Sequence, residues 1–197
     1  IALVKYWGKQ EPQLPENASI SFTLDACFTL TALEYNLKTN HHSELDSESY
    51  DENLKQVQVD KGKFNFEIYF EGEKKDDFKP KIQKFFERID QYVPFLKEYN
   101  FVIKSRNSFP HSSGIASSAS GMSALAMCVM TIEKELNPTI SEEYFNKKAS
   151  FLARLGSGSA SRSIEGELIV WGNHKEIEGS SNLFGVKFPY KIHENFK

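Results

Sequence analysis

Cysteine is scarce in this sequence: Cys27 and Cys128 are the only two in 197 residues. Two thiols cannot build a disulfide framework, and no CxxC spacing offers zinc a site, so a reducing cytoplasm is the expected location. Positive charge is not in excess either. Lys and Arg number 24 against 27 Asp and Glu, a net charge of -3, which leaves no basic surplus for nucleic-acid phosphates or an anionic membrane. A small anionic ligand stays open, because a local cluster can be basic when the total is not. There is no initiator Met, and no charged segment leads into an apolar run as a secretory signal requires.

What is there is 40% hydrophobic and 26% charged residues, the composition of a soluble globular protein with room for one large domain, or one and a fragment. The first residues, IALVKYWGK, already read as ordered strand and loop, and the last, PYKIHENFK, stop without a cap or turn. The expectation is therefore a piece of a longer chain.

Over residues 1–9, Ile1, Leu3 and Tyr6 fall on one side of a strand, and Gly8, Pro12 and Pro15 mark the loop that follows. SISFTLDACFTLTALEYN at 19–36 predicts two strands or one long bent one. Residues 39–53 lose apolar content and predict an exposed loop. VQVDKGKFNFEIYF then alternates on both sides of Asp60, Lys61 and Gly62, a hairpin pattern. The period changes at 79–92, where Ile82, Phe85, Phe86 and Ile89 predict one face of a helix that Pro94 ends or kinks. A short strand at 101–104 follows. Met122, Leu125, Ala126, Val129 and Met130 predict a buried helix reaching Leu136, and Ser141, with Glu142 and Glu143 behind it, caps a third that reaches Leu155. ELIVW at 167–171 reads as a strand, and the whole order predicts an α+β layered fold.

Three stretches carry chemistry. PHSSGIASSASG at 110–121 is a run of small residues between a strand and a buried helix. Small side chains let a phosphate reach the backbone, and the first-turn N–H groups point at it. Ser117 and Ser118 add hydroxyls, one of them a candidate ligand for a Mg²⁺ that bridges phosphates. Neither a Walker pattern nor GxGxxG is present, and a close-packed helix start explains the same composition. GSGSASRS at 156–163 sets one Arg among hydroxyls and amides, which suits a carboxylate or phosphate. A flexible linker is the plainer reading of such a string, but Arg162 between two strongly predicted apolar segments weighs against it. In KYWGK at 5–9, a strand would put Lys5, Trp7 and Lys9 on one face, either to pair with a polyanion or to guard an edge against aggregation.

Together with LPENASISFTL at 14–24, these motifs occur in the order and approximate separation found in the diphosphomevalonate decarboxylases, and the sequence resembles that family over nearly the whole chain. The family is a branch of the GHMP kinase superfamily. The resemblance implies a two-layer N-terminal GHMP-kinase domain over 1–197, a fold shared with a ribosomal protein domain, with an antiparallel-rich sheet and helices on one face. It implies phosphorylation of the 3-hydroxyl of (R)-5-diphosphomevalonate by ATP with Mg²⁺, then loss of phosphate and CO₂ to give isopentenyl diphosphate. By position, Tyr6, Trp7, Gly8 and Lys9 match one substrate-contacting segment, and Ser157, Gly158, Ser159, Ala160, Ser161 and Arg162 match the second. Arg162 then engages the substrate carboxylate or the charge that develops as CO₂ departs. Lys5 and Ser118 are the other candidate catalytic residues. Ser157 and Ser159 hold the diphosphate, and Lys81 falls where related enzymes present an Arg. Pro110, Ser113, Gly114, Ile115, Ala116, Ser117 and Ser118 wrap the ATP phosphates, with Ser118 nearest Mg²⁺ or the γ-phosphoryl group.

Some residues depart from the family pattern. Gln10 follows YWGK in place of a basic residue, Ser161 replaces a Cys, and His111, Ser112 and Ser113 replace smaller residues. No Asp of this chain sits in the motif of the family's proton-accepting Asp, which is expected in a C-terminal half beyond Lys197. Two other readings stay on the table: a related mevalonate-pathway enzyme acting on a mono- or unphosphorylated substrate, and an RNA-binding module, which the net charge opposes. A homodimer is compatible with the resemblance.

Overall fold

The computed structural model describes residues 1–38, 64–110 and 114–194. In chain order its strands are β1 (Ala2–Val4), β2 (Lys9–Gln10), β3 (Leu14–Pro15), β4 (Ser19–Phe22), β5 (Thr29–Leu37), β6 (Asn65–Phe70), β7 (Glu73–Lys74), β8 (Tyr99–Asn107), β9 (Leu168–Trp171) and β10 (Val186–Lys187). Its α-helices are α1 (Lys79–Ile89), α2 (Ser117–Leu136) and α3 (Glu142–Gly156). One sheet runs β5-β8-β6-β7 and a second β1-β4-β9-β10, with β2 and β3 paired apart. All pairs are antiparallel except β6 with β8. The class is α+β, as the element order implied.

Period-two patterning explains the first sheet. Tyr99, Phe101 and Ile103 of β8 turn into the core, and Leu33 and Tyr35 of β5 pack beside them, while Leu30, Ala32 and Glu34 stay exposed. The helices cover the inward face. The α1 stripe of Ile82, Phe85, Phe86 and Ile89 is buried, as are Met122, Leu125, Ala126, Val129 and Met130 of α2. Ser141 caps α3 by accepting the Tyr144 N–H at 3.2 Å. A 3-10 turn at 158–163 follows α3 and meets β9, whose four residues are all buried.

Several expectations change. Residues 1–9 are not one strand: the Asn17 side chain accepts the Trp7 N–H at 2.7 Å and donates to the Lys5 carbonyl at 3.3 Å, so a local clamp replaces the ladder between β1 and β2. Lys5, Trp7 and Lys9 therefore share no strand face. Residues 19–36 divide into β4 and β5. Helix α1 ends at Ile89, before a 3-10 turn over Pro94–Glu98, and β8 is longer than the predicted strand at both ends. Helix α2 starts at Ser117, so the last five residues of the small-residue run are already helix. The loop at 39–53 and the turn at Asp60–Gly62 lie outside the described residues. The strand after them, β6, runs parallel to β8 and pairs with β7 across Glu71 and Gly72, both at positive φ. Among the described residues no helix is long and apolar enough to cross a membrane.

Candidate active site

The start of α2 is shaped by backbone more than by side chains. Gly114 has φ +83° and Ala116, the residue before the first turn, φ +66°. Left-handed geometry costs an Ala about 1–2 kcal/mol, a strain of the kind held at functional turns. Ala116 offers no side-chain cap, and its carbonyl takes the N–H groups of Ala119 and Ser120. The Ser117 and Ser118 amides, at the positive end of the helix, have no helical acceptor, which suits an anion.

Helix α1 brings Lys81 to this point, where its ammonium donates to Ser118 Oγ. Partial burial first, and the Lys9 ammonium second, pull the Lys81 pKa below the ordinary lysine value. Lys9 is itself held by Gln13 Oε1 at 2.7 Å. The Lys81 ammonium, the Ser118 hydroxyl and a helix N-terminus thus meet, and the charge of Lys9 reaches Lys81. Beside them opens a cleft of about 370 Å³ between α1, α2 and the sheet. Phe70, Phe78 and Ile103 give it apolar walls; Thr31 bonds Ser105 at 2.9 Å, and Thr29 donates to Asn107 at 2.8 Å along its floor. Sequence reasoning missed these polar floor residues. The signal was available, since they occupy inward positions on strands whose other inward residues are apolar.

Arg162 forms a second focus. It is 7% exposed, donates through Nη1 to Ser19 Oγ at 2.5 Å, and its Nε has no partner among the described residues. Its guanidinium lies 5.9 Å from the Tyr6 ring and 6.0 Å from that of Trp171, and the two rings meet edge to face at 5.2 Å. Burial lowers its pKa, with Tyr6 opposing the shift. Gly158 is required beneath it, because a Cβ there would come 2.6 Å from the Trp171 ring. Arg162 also borders a second hollow of about 510 Å³ with Ser21, Phe28, Ile115 and Ser120.

The other expected residues are placed as follows. Trp7 is 87% exposed, and Lys5 and Pro110 are exposed too. Gly8 is half-buried, its carbonyl taking the Glu16 N–H at 3.0 Å. Ser157 and Ser159 are half-buried. Ala160 and Ser161 turn into the core: the Ser161 hydroxyl donates to the Gly158 carbonyl at 2.8 Å, and the Ala160 carbonyl accepts from Ser123 at 2.8 Å. Their side chains shape the turn. Ser113, with His111 and Ser112, lies outside the described residues. Asn17, Ser19 and Trp171 were not foreseen, because their roles depend on contacts between distant strands.

Residues 1–61 and 52–182 match the model of the diphosphomevalonate decarboxylase-like N-terminal domain. The chain belongs to the diphosphomevalonate decarboxylase-like family. Curated diphosphomevalonate decarboxylases are similar to it: that of Debaryomyces hansenii is 33% identical over the whole chain and 46% of the relative's length, and that of Ganoderma lucidum 32% identical over 93% of this chain and 42% of its own. Among solved structures, the mevalonate diphosphate decarboxylase of Enterococcus faecalis superposes with a TM-score of 0.66 at 30% identity, covering 96% of this chain and 49% of the other. That of Staphylococcus aureus gives 0.65 at 30%, covering 95% and 46%. The chain spans about half the length of the decarboxylases it matches. Its fold and motifs are thus those of the GHMP-type N-terminal domain implied by KYWGK and GSGSASRS.

Proposed function

We propose that residues 1–197 form the N-terminal, ATP- and substrate-binding domain of an enzyme that converts (R)-5-diphosphomevalonate to isopentenyl diphosphate, with ADP, phosphate and CO₂ as the other products. The contact of Lys81 with Ser118 at the α2 N-terminus, within the field of the Lys9 charge, supports it best: this arrangement suits several phosphates, close to a cleft large enough for a nucleotide base. A relative solved with MVAPP, AMPPCP and magnesium, superposing at a TM-score of 0.65 with 31% identity, has ligands of that chemistry.

In this reading the 370 Å³ cleft takes the base, and the segment from Gly114 to Ser118 takes the phosphates on backbone amides. Lys81 and Lys9 neutralise the substrate diphosphate, with Ser157 and Ser159 beside it, while the γ-phosphoryl group faces the 3-hydroxyl. Among the described residues no three His, Cys, Asp or Glu side chains converge on a metal position. Ser118 Oγ, which here accepts from the Lys81 ammonium, would offer Mg²⁺ one oxygen ligand if Lys81 turned to a phosphate instead. When bound, Mg²⁺ offsets phosphate charge. Transfer places the γ-phosphoryl group on the 3-hydroxyl oxygen, with ADP as the leaving group and the hydroxyl proton passing to a carboxylate of the whole enzyme. Phosphate then leaves with the C3–O electron pair, and the bond to the carboxylate carbon supplies the new double bond as CO₂ departs. Arg162 holds the carboxylate until then, its orientation fixed by Ser19 and two rings. Lys5 and the exposed Trp7 contact substrate from the loop that Asn17 clamps.

The test is one assay on the whole gene product with ATP, Mg²⁺ and 5-diphosphomevalonate, measuring ADP and CO₂ together. Equal yields are expected. ADP without CO₂ would make the protein a kinase.

A further inference from the structure

Arg154 is the most deeply buried charged side chain among the described residues, and the candidate active site does not use it. It is 2% exposed on α3. Its Nε donates to the Leu183 carbonyl at 2.8 Å, its Nη1 donates to the Pro12 carbonyl, and its guanidinium stacks 5.2 Å from the Phe151 ring. These acceptors are neutral, and burial drives the arginine pKa down. A buried cation without a counter-charge costs stability that an apolar side chain of similar volume avoids. What the guanidinium adds is geometry, two carbonyls held at fixed angles by one planar group.

The two carbonyls lie where geometry matters. Pro12 sits in the turn between β2 and β3, the turn that presents Lys9 near Lys81. Arg88 of α1 grips the same turn, with Nη2 on Glu11 at 3.2 Å and Nη1 on the Leu155 carbonyl at 2.9 Å. One helical turn before Arg154, Ser150 donates to the Ser161 carbonyl at 2.7 Å and accepts the Gly185 N–H at 2.8 Å. The end of α3 therefore ties together the 8–13 turn, the 157–162 segment and the approach to β10.

We propose that Arg154 is a positioning residue for the substrate diphosphate: it fixes the 8–13 turn, and with it Lys9, relative to the 157–162 segment. The kinetic readout rests on the decarboxylase reading above; the structural readout rests on geometry alone.

The experiment uses the whole gene product with Arg154→Met and Arg154→Lys. In Arg154→Met the KM for 5-diphosphomevalonate is expected to rise about 10²-fold, the effect of displacing a binding group by an ångström, while the KM for ATP stays put. Lys, which reaches one carbonyl, restores part of the loss. Hydrogen exchange at the Glu16 amide, which bonds the Gly8 carbonyl, speeds up while amides in the middle of α1 and α2 keep their rates. Equal rises in both KM values, exchange that quickens through the whole domain, or a Glu16 amide that does not change overturns the proposal. Should neither variant fold, native-state exchange of the unmodified protein decides: the Glu16 amide must open together with the last turn of α3, and faster independent opening overturns the tether. A parent protein that releases no CO₂ sinks the decarboxylase reading and leaves the exchange arms to judge Arg154.

Discussion

Arg162 and Ser19, 143 positions apart, meet in a 2.5 Å hydrogen bond inside the domain, and this bond sets the direction of the guanidinium. Ser19 is held in turn by its own donation to the Trp171 carbonyl at 3.1 Å. A hydrogen bond to a charged group is worth roughly 1.5–3 kcal/mol, so Ser19→Ala is expected to lower kcat/KM for 5-diphosphomevalonate roughly 10- to 100-fold. The KM for ATP should not move. Steady-state kinetics with each substrate varied in turn checks this, and an unchanged kcat/KM shows that Ser19 does not orient Arg162.

Lys81 supplies a pH test. Its depressed pKa means the folded protein releases this proton before the unfolded chain does. The sign follows from linkage: between the folded pKa and the ordinary lysine value the unfolded state binds more protons, so stability rises with pH through that window and the gain is lost as pH falls through the folded pKa. Binding moves the other way. Once Lys81 is neutral it no longer neutralises phosphate, so affinity for the diphosphate substrate falls on the alkaline side earlier than a normal lysine would dictate. Lys81→Arg, always charged, is expected to push that limb to higher pH in a KM profile; an unmoved limb removes Lys81 from the phosphate site.

What the sequence disclosed and what it hid divide along physical lines. The α1 stripe, the buried face of α2 and the Ser141 cap were legible because each is written in residues three or four apart. The 156–163 and 5–9 segments were singled out by their residue types together with the family resemblance. Hidden were the clamps: Asn17 on the 5–8 loop, Ser19 under Arg162, Arg154 across to Pro12. Each is a polar residue of ordinary local character whose partner lies ten or more positions away. The false strand at 1–9 has the same origin, for its alternation is real but Asn17 takes the Trp7 N–H and returns a bond to the Lys5 carbonyl. The parallel pairing of β6 with β8 depends on crossover geometry that no window of residues records.

Two glycines should respond oppositely to alanine. At Gly158 the added methyl meets the Trp171 ring at 2.6 Å, so Gly158→Ala is expected to cost about 1–3 kcal/mol of unfolding free energy by overpacking. The displaced ring would also disturb Tyr6 and Arg162, and decarboxylation should fall with it. At Gly121, inside α2, nothing lies within 4 Å of the new Cβ. Gly121→Ala should stabilise by about 0.5–1 kcal/mol through helix propensity. Because Gly121 lines the cleft proposed for the nucleotide, the same change should raise the KM for ATP. Urea unfolding of both variants, followed by ATP kinetics on the second, checks the pair.

Trp7 makes substrate contact directly observable. It is 87% exposed whereas Trp171, the other tryptophan, is fully buried. Acrylamide quenching of the ligand-free protein should therefore resolve one accessible and one protected indole, and Trp7→Phe should abolish the accessible fraction. An exposed indole on a clamped loop buries a large apolar area when a ligand or a closing lobe covers it. Saturating 5-diphosphomevalonate is expected to reduce the quenching of Trp7 and leave that of Trp171 unchanged. ATP alone should do less, since the cleft proposed for the nucleotide is lined by β5, β6, β8, α1 and α2 and not by the 5–9 loop. If Trp7 stays as quenchable with the diphosphate bound as without it, the KYWGK loop is not a substrate contact, and the phosphate site must be assigned to Lys81 and the α2 N-terminus alone.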